Sequence, residues 1–408
     1  MSDHPDHLES LENPGALYAP RLTGVASVLV LLGFLMFGIL VLFDHAQPGR
    51  VWGAVLQGLM IPTWISAGAL CFIAMNSIGG ARWVVPLRRV MEGLSGGFLL
   101  TLGAFVLLWW AGFDTLYSWA AVDLRHDLFH IHEGAKSHWM TKDRVGFTSL
   151  IAVGSWILLQ RRMVALSLLQ DLRQDTIAAH RRWSIAFLII FGFTFTLFMW
   201  DTLLGLQARF ISTTWGFYCF VSSLQMFLAV LCVVVTWLAR GPLKQVVKPH
   251  LLHDLGTWTV AWSCIWAYIA YTQYIIIYFA NTNEESYFYL MRLQHHYGQS
   301  LCLETLLRFP VPFLVLLSQR MRSNPKALAW ASSLVLLGCW IDLWWIIVPG
   351  IFPNPDKYSN FLHLPELLIG AGFVGAFILL ALSFWKRHGV IPRGDPRLLS
   401  AINAEHLH

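Results

Sequence analysis

RLTGVASVLVLLGFLMFGILVLFD, residues 21–44, places 22 uncharged residues between Arg21 and Asp44. Coiled into an α-helix, such a run is about 33 Å long, and the hydrocarbon core of a bilayer is about 30 Å thick. The stretch reads as a transmembrane helix. The tail before it, MSDHPDHLESLENPGALYAPR, is polar and acidic, whereas a cleaved signal peptide starts basic and turns apolar at once. The first helix is therefore expected to stay in the mature protein.

The same pattern recurs along the chain. Apolar runs free of clustered charge cover 22–43, 52–78, 93–112, 145–160, 183–203, 214–238, 255–279, 298–318, 326–348 and 365–385, which predicts ten spans. The fourth, VGFTSLIAVGSWILLQ, is short and is expected to continue past its flanking charges. Composition agrees: 56% of residues are apolar and 12% charged, where a soluble domain carries about a quarter charged. The expected fold class is an all-α integral membrane protein of about ten transmembrane helices.

Orientation follows from Lys and Arg, which cytoplasmic loops retain. Nineteen of the 28 lie on the side of the two tails, 1–21 and 386–408. Eight lie on the other side, and Arg308 falls inside a span. Both termini are thus expected in the cytoplasm. The net charge of +5 is spread over short loops, so it speaks of topology and not of nucleic acid. The six cysteines sit in apolar stretches with no C-x-x-C among them, and neither a disulfide framework, a zinc site nor an attached c-type haem is expected.

The longest exterior loop, about Phe113 to Arg144, contains His126, His130, His132 and His138. His126 and His130 would share a helix face, as metal ligands do, but no carboxylate–histidine pattern fixes a geometry. A partner-facing loop is the preferred reading, and no metal is expected. The other histidines lie in tails, loops or span edges, which argues against the paired axial ligands of a membrane haem. GAGFVG, 370–375, matches G-x-G-x-x-G without a preceding strand; close helix packing explains it better than a dinucleotide.

Ionisable residues at membrane depth are costly and mark function by default. Asp201 in FTLFMWDTLLGL and Asp342 in CWIDLWW are both expected in the exterior half, Asp342 roughly 24 Å from its cytoplasmic end. Glu304 and Arg308 are four apart on the eighth span, a spacing that allows an ion pair. His295 and His296 stand at its exterior end, after a loop with Glu284 and Glu285, and these groups form a candidate proton route. Mutual neutralisation of Glu304 and Arg308, with the two aspartates tying helices together, is an equally open reading. In the seventh span Tyr268, Tyr271, Gln273, Tyr274 and Tyr278 are expected to face protein or a cavity rather than lipid; packing is favoured over a headgroup pocket.

Five segments, in order, are GGARWVVPLRR (79–89), ISTTWGFYCF (211–220), HDLGTWTVAWSCIWAYIAYTQYIIIYFANTNEE (253–285), PFLVLLSQRMRSNP (312–325) and WIDLWWIIVP (340–349). In these the chain resembles the ActF-type membrane subunit of alternative complex III, a bacterial quinol-oxidising respiratory complex. The resemblance runs from the second span to the ninth. It implies an NrfD-like fold, with four-helix bundles at 52–203 and 214–348 flanked by peripheral helices at 22–43 and 365–385, in the bacterial inner membrane. It implies a subunit without redox centres or catalytic residues of its own. Menaquinol or ubiquinol would be the substrate of the complex. Haems and iron–sulfur clusters would sit in partners: a related quinol-site membrane subunit, an iron–sulfur subunit, multihaem and monohaem cytochromes, and a terminal oxidase. A proton path, and by analogy a quinone surface, are implied as well. Asp201 and Asp342 match acidic positions of the family, and His253, Asp254, Glu284 and Glu285 match the ends of its seventh span. Gln207, Ala208, Arg209 and Phe210 depart from it, standing where the family has Asp-Pro-His-Trp. Arg209 would suit an acidic partner. The competing classes are a secondary transporter, for which no matched Gly or Pro interruptions stand out, and a structural scaffold.

Overall fold

In the computed structural model, residues 19–43, 48–120, 139–172, 174–208, 210–293, 295–352 and 363–402 are described, with only the backbone of His295 and His296. The four loop histidines and Arg209 lie outside them. Among the described residues, ten helices are long and apolar enough to cross a bilayer. They are α1 Pro20–Phe43, α2 Pro48–Gly79, α3 Val85–Leu116, α4 Lys142–Asp171, α5 Ile177–Leu206, α6 Trp215–Leu238, α7 Pro249–Ala280, α8 Tyr297–Leu316, α9 Pro325–Ile351 and α10 Leu364–His388. The chain is an all-α, multi-pass membrane protein. An even number of spans puts the start of α1 and the end of α10 on one face, here the terminal face; the opposite one is the distal face.

Helix α4 continues well beyond its apolar run, as its length required. Helix α3 differs from expectation by starting at Val85 and not near residue 93. Arg88, Arg89 and Glu92 thereby enter the helix, where they are buried. Charges at its start looked like a loop, but Arg89 and Arg88 both pair with Glu92, and a paired group can be taken out of water at far lower cost than a lone one. Helix α8 is not continuous. It runs as His295–Arg308, breaks at Phe309, and resumes as Pro310–Leu316. Pro310 and Pro312 donate no N–H to the preceding turn and crowd it, which is why the helix breaks there.

Packing closes two rings. Helix α2 touches α3 and α5, while α4 joins α3 to α5; in the same chain order α6 touches α7 and α9, while α8 joins α7 to α9. The rings meet where α2 packs on α6, with α5 on α6 and α9 on α2 at the sides. Helix α2 is consequently buried from Val51 to Ala74. Helices α1 and α10 form a pair outside the rings, and α10 seats it on α2.

That outer pair depends on glycine. A Cβ on Gly33 would lie 2.7 Å from Gly372 Cα and 2.9 Å from the Leu368 carbonyl oxygen. Both are backbone atoms, so neither can swing aside. Lipid tails give no hydrophobic drive for helix association, so close contact supplies the attraction. Gly33→Val is expected to destabilise the α1–α10 contact by about 1–3 kcal/mol. Disulfide cross-linking between cysteines placed on α1 and α10 would read this: undiminished cross-linking in the valine variant would refute it.

Candidate functional site

The second ring encloses a polar cluster made by four helices. Tyr218, Ser222 and Gln225 recur on one face of α6, Ser263 and Trp266 face them from α7, Glu304 and Arg308 come from α8, and Asp342 from α9. Arg308 and Asp342 are both 0% exposed and form an ion pair. The Tyr218 hydroxyl donates to Asp342 Oδ1 at 2.6 Å. Arg308 Nε and Nη2 donate to Gln225 Oε1 at 2.9 and 2.7 Å, and Nη2 also donates to Ser222 Oγ at 3.0 Å. Its guanidinium lies 4.0 Å from the centroid of the Trp266 ring, a cation–π contact.

Local sequence explains how α8 delivers this arginine. Pro312 has no N–H for the Arg308 carbonyl four residues earlier, and Gln225 Nε2 donates to that oxygen instead, at 3.0 Å. The same amide nitrogen reaches Ser263 Oγ at 3.0 Å. Gly338, one turn before Asp342, lets α8 approach α9: a Cβ there would stand 2.5 Å from Arg308 Cγ. The break, the glycine and the glutamine together seat one cation against one carboxylate.

Glu304 does not join that pair. Arg308 turns to Asp342 and α6, so the expected ion pair within α8 is replaced by one between α8 and α9. Glu304 is 1% exposed and its Oε2 has no hydrogen-bond partner. Among the described residues, Glu92, Asp201, Asp342, Glu366 and Asp395 are buried and each faces a cation; Glu304 is the buried carboxylate without one. It lines a cavity of about 210 Å³ walled by aromatic rings, among them Trp215, Trp266, Phe288, Tyr289 and Trp345. The indole N–H groups of Trp215, Trp266 and Trp345 are also unpartnered. Tyr271 and Thr305, both exposed, sit on the rim between α7 and α8, so the cavity opens sideways at membrane depth.

The tyrosines of α7 divide. Gln273 is buried and Tyr274 half-buried, and both line the cavity. Tyr268 and Tyr278 are 66% and 64% exposed on the outside of the chain, against the expectation that they face protein or a cavity, while Tyr271, 64% exposed, stands at the cavity rim. The reason is geometric: Thr259, Ser263, Trp266 and Gln273 occupy the inner face of α7, and these three tyrosines lie off it.

In the first ring, Asp201 of α5 accepts from Arg144 of α4 through both oxygens, at 3.0 and 2.7 Å, and from Thr148 Oγ1 at 3.1 Å. Sequence reading singled out the aspartate and missed its arginine, which looked like a loop charge. The pair edges a second cavity of about 420 Å³ on the distal face, with Trp119, Trp200 and Gln207. Arg292 was missed too. It is 1% exposed and donates to the Trp345 and Ile346 carbonyls at 3.1 and 2.9 Å and to Gln207 Oε1 at 3.1 Å. Pro349 leaves the Trp345 carbonyl without its helical donor, and Arg292 fills that place. Gln207 is therefore a partner of a buried cation.

Of the remaining expected residues, His253 and Asp254 open α7 on the terminal face, 3.5 Å apart. Glu284 and Glu285 stand in the first turn of the short helix Asn283–Arg292 on the distal face. His295 and His296 begin the first segment of the α8 helix; their side chains lie outside the described structure.

A third cluster clasps the C-terminal segment to the terminal face. Arg88 Nη1 donates to Asp395 Oδ2 at 3.2 Å, Arg397 holds the same carboxylate at 2.8 Å, and Gly394 N donates to Asp171 Oδ1 at 3.0 Å. Burial acts to raise the Asp395 pKa, but the bonds and charge of Arg397, with Arg88 behind them, outweigh it and hold the carboxyl below its usual range. A depressed carboxyl contributes stability that is present above the unfolded pKa, about 3.9, and is lost as pH falls through the lower folded value. Protection from hydrogen exchange in Leu398–Ile402, relative to the intrinsic rate at each pH, is thus expected to hold down to about pH 4 and to fall below it, and Asp395→Asn is expected to lower it at neutral pH. Equal protection at pH 7 in both proteins would refute the clasp.

No protein-family model matches the chain, and no curated protein matches it.

Proposed function

We propose that this chain is a membrane subunit, without a redox centre of its own, of a quinol-oxidising electron-transfer complex of the alternative complex III type. In this reading it lies in a bacterial inner membrane with both termini in the cytoplasm, and its second ring provides a route for protons. The observation that carries the reading is Glu304: a buried carboxylate without a cation, at the wall of a cavity, one turn from the satisfied Arg308–Asp342 pair. Oxidising a quinol releases two electrons and two protons. The electrons need metal centres, which the reading assigns to an iron–sulfur subunit and to cytochromes. The protons need acceptors that can change charge without dismantling the fold. Arg308 and Asp342 are locked to one another, so Glu304 is free to do this. The aromatic walls and the sideways opening between α7 and α8 suit a flat quinol ring arriving from the bilayer, with the unpartnered indoles and Glu304 as its polar contacts.

Purification of the tagged chain from its native membrane, followed by identification of its companions, tests the assignment. Recovery with an iron–sulfur subunit, haem proteins and a second polytopic subunit is expected. Recovery of the chain alone, from mild detergent, would overturn it.

The break in α8 favours a second reading, since discontinuous helices beside a buried carboxylate also occur in secondary transporters. Substrate-driven proton uptake by vesicles containing only this chain would establish it.

A further inference from the structure

The lipid-facing side of the first ring carries cations that no role above uses. Arg161 and Arg162 on α4 and Arg181 and Arg182 on α5 are all exposed, and none of them has a hydrogen bond or ion pair with another residue. Helices α4 and α5 pack side by side, and the Arg162 guanidinium lies 5.6 Å from the centroid of the Trp183 ring. The two pairs of arginines therefore belong to one surface.

Their depth is fixed by the sequence around them. The uncharged run 145–160 of α4 ends at Arg161, and the uncharged run of α5 begins after Arg182. Each pair stands where the uncharged part of its helix ends toward the terminal face, within reach of the lipid phosphates for a long arginine side chain, and Trp183 is the side chain expected near that level. Toward the bilayer centre the same surface exposes Leu158, Ile185, Ile189 and Phe193, an apolar bed for acyl chains. On the same face Arg88, Arg89 and Arg397 are spent on carboxylates, and Arg240 and Lys244 lie beyond the end of α6. The nearest acids are also engaged, Asp171 by Arg89 and the Gly394 N–H, Asp175 by the Ile177 N–H.

Four guanidinium groups without acids, a tryptophan at headgroup depth and an apolar bed beneath are complementary to one kind of molecule. We infer that the α4–α5 surface binds an anionic glycerophospholipid, the arginines holding its phosphate through paired N–H donors. A zwitterionic headgroup carries its own cation, which offsets the attraction of its phosphate to the arginines, and an anionic headgroup has no such offset.

Native mass spectrometry of the delipidated chain, titrated with phosphatidylglycerol or phosphatidylcholine, tests the site. Phosphatidylglycerol adducts and a raised Tm are expected, both weakening at about 0.5 M salt, with little effect of phosphatidylcholine. Replacing all four arginines by glutamine is expected to lower adduct formation roughly tenfold or more, and R240Q/K244Q to leave it unchanged. Should the fourfold variant fail to fold, R161Q/R162Q and R181Q/R182Q separately are each expected to bind less. Undiminished phosphatidylglycerol binding in the arginine variants, or equal binding of phosphatidylcholine, would overturn the inference. So would capture of an acidic protein at this surface in place of lipid.

Discussion

Arg308→Met, with Asp342 left in place, is expected to cost about 3–5 kcal/mol of stability. Methionine fills much of the same volume, so the loss comes from charge and hydrogen bonds. Asp342 would keep only Tyr218 as a donor, and Gln225 and Ser222 would lose the guanidinium they face. Removing both charges is different, because the desolvation of each is also removed. Arg308→Met combined with Asp342→Leu is expected to regain most of the loss. Unfolding in mixed micelles, followed by tryptophan fluorescence, would read both proteins. A double variant no more stable than the single one would show that the cost lies in α8 geometry and not in an orphaned carboxylate.

Glu304→Gln is expected to do the reverse, leaving the fold intact and lowering quinol turnover of the assembled complex by about tenfold or more. Glutamine keeps the size of the side chain and its acceptor oxygen, and Glu304 has no ion pair to lose. What disappears is the ability to take and release a proton. Proton release in proteoliposomes would fall with turnover, while the subunits recovered with the chain stay the same. Turnover at the native level with normal assembly would remove Glu304 from the route and leave a structural part for this ring.

These residues were legible in the sequence to different depths. The ten spans could be read because hydrocarbon demands long uncharged runs and little else interrupts them. The start of α3 could not, since a sequence shows three charges near residue 90 but not that Glu92, Asp171 and Asp395 offset the two arginines in space. RFPVP, 308–312, did contain the break in α8, as two prolines within three residues cannot continue a helix undisturbed. The depth of Asp342 and Arg308 was evident from the apolar residues around them, but their partnership joins residues 34 apart on different helices. Spacing within α8 pointed to Glu304 instead, because only neighbours on one helix can be paired without a fold. Arg144 and Arg292 were hidden for a related reason: Arg144 follows Thr141, Lys142 and Asp143 like a loop charge, Arg292 sits in a segment too short to read as a span, and the burial of both comes from elements distant in the chain.

The two rings repeat one order of helices, and each holds an arginine from its third helix against an aspartate from its fourth. The surroundings are unequal. The Arg144 side chain is 20% exposed and sits in the first turn of α4, whereas Arg308 is fully enclosed. Counterions and water can reach the first pair and stand in for either member, so that pair can drift to other polar residues, and its strength varies with ionic strength. No solvent substitutes for the second. The same arrangement thus occurs once at the rim, where it tolerates change, and once in the interior, where it does not, and sequence change in descendants should gather in the first.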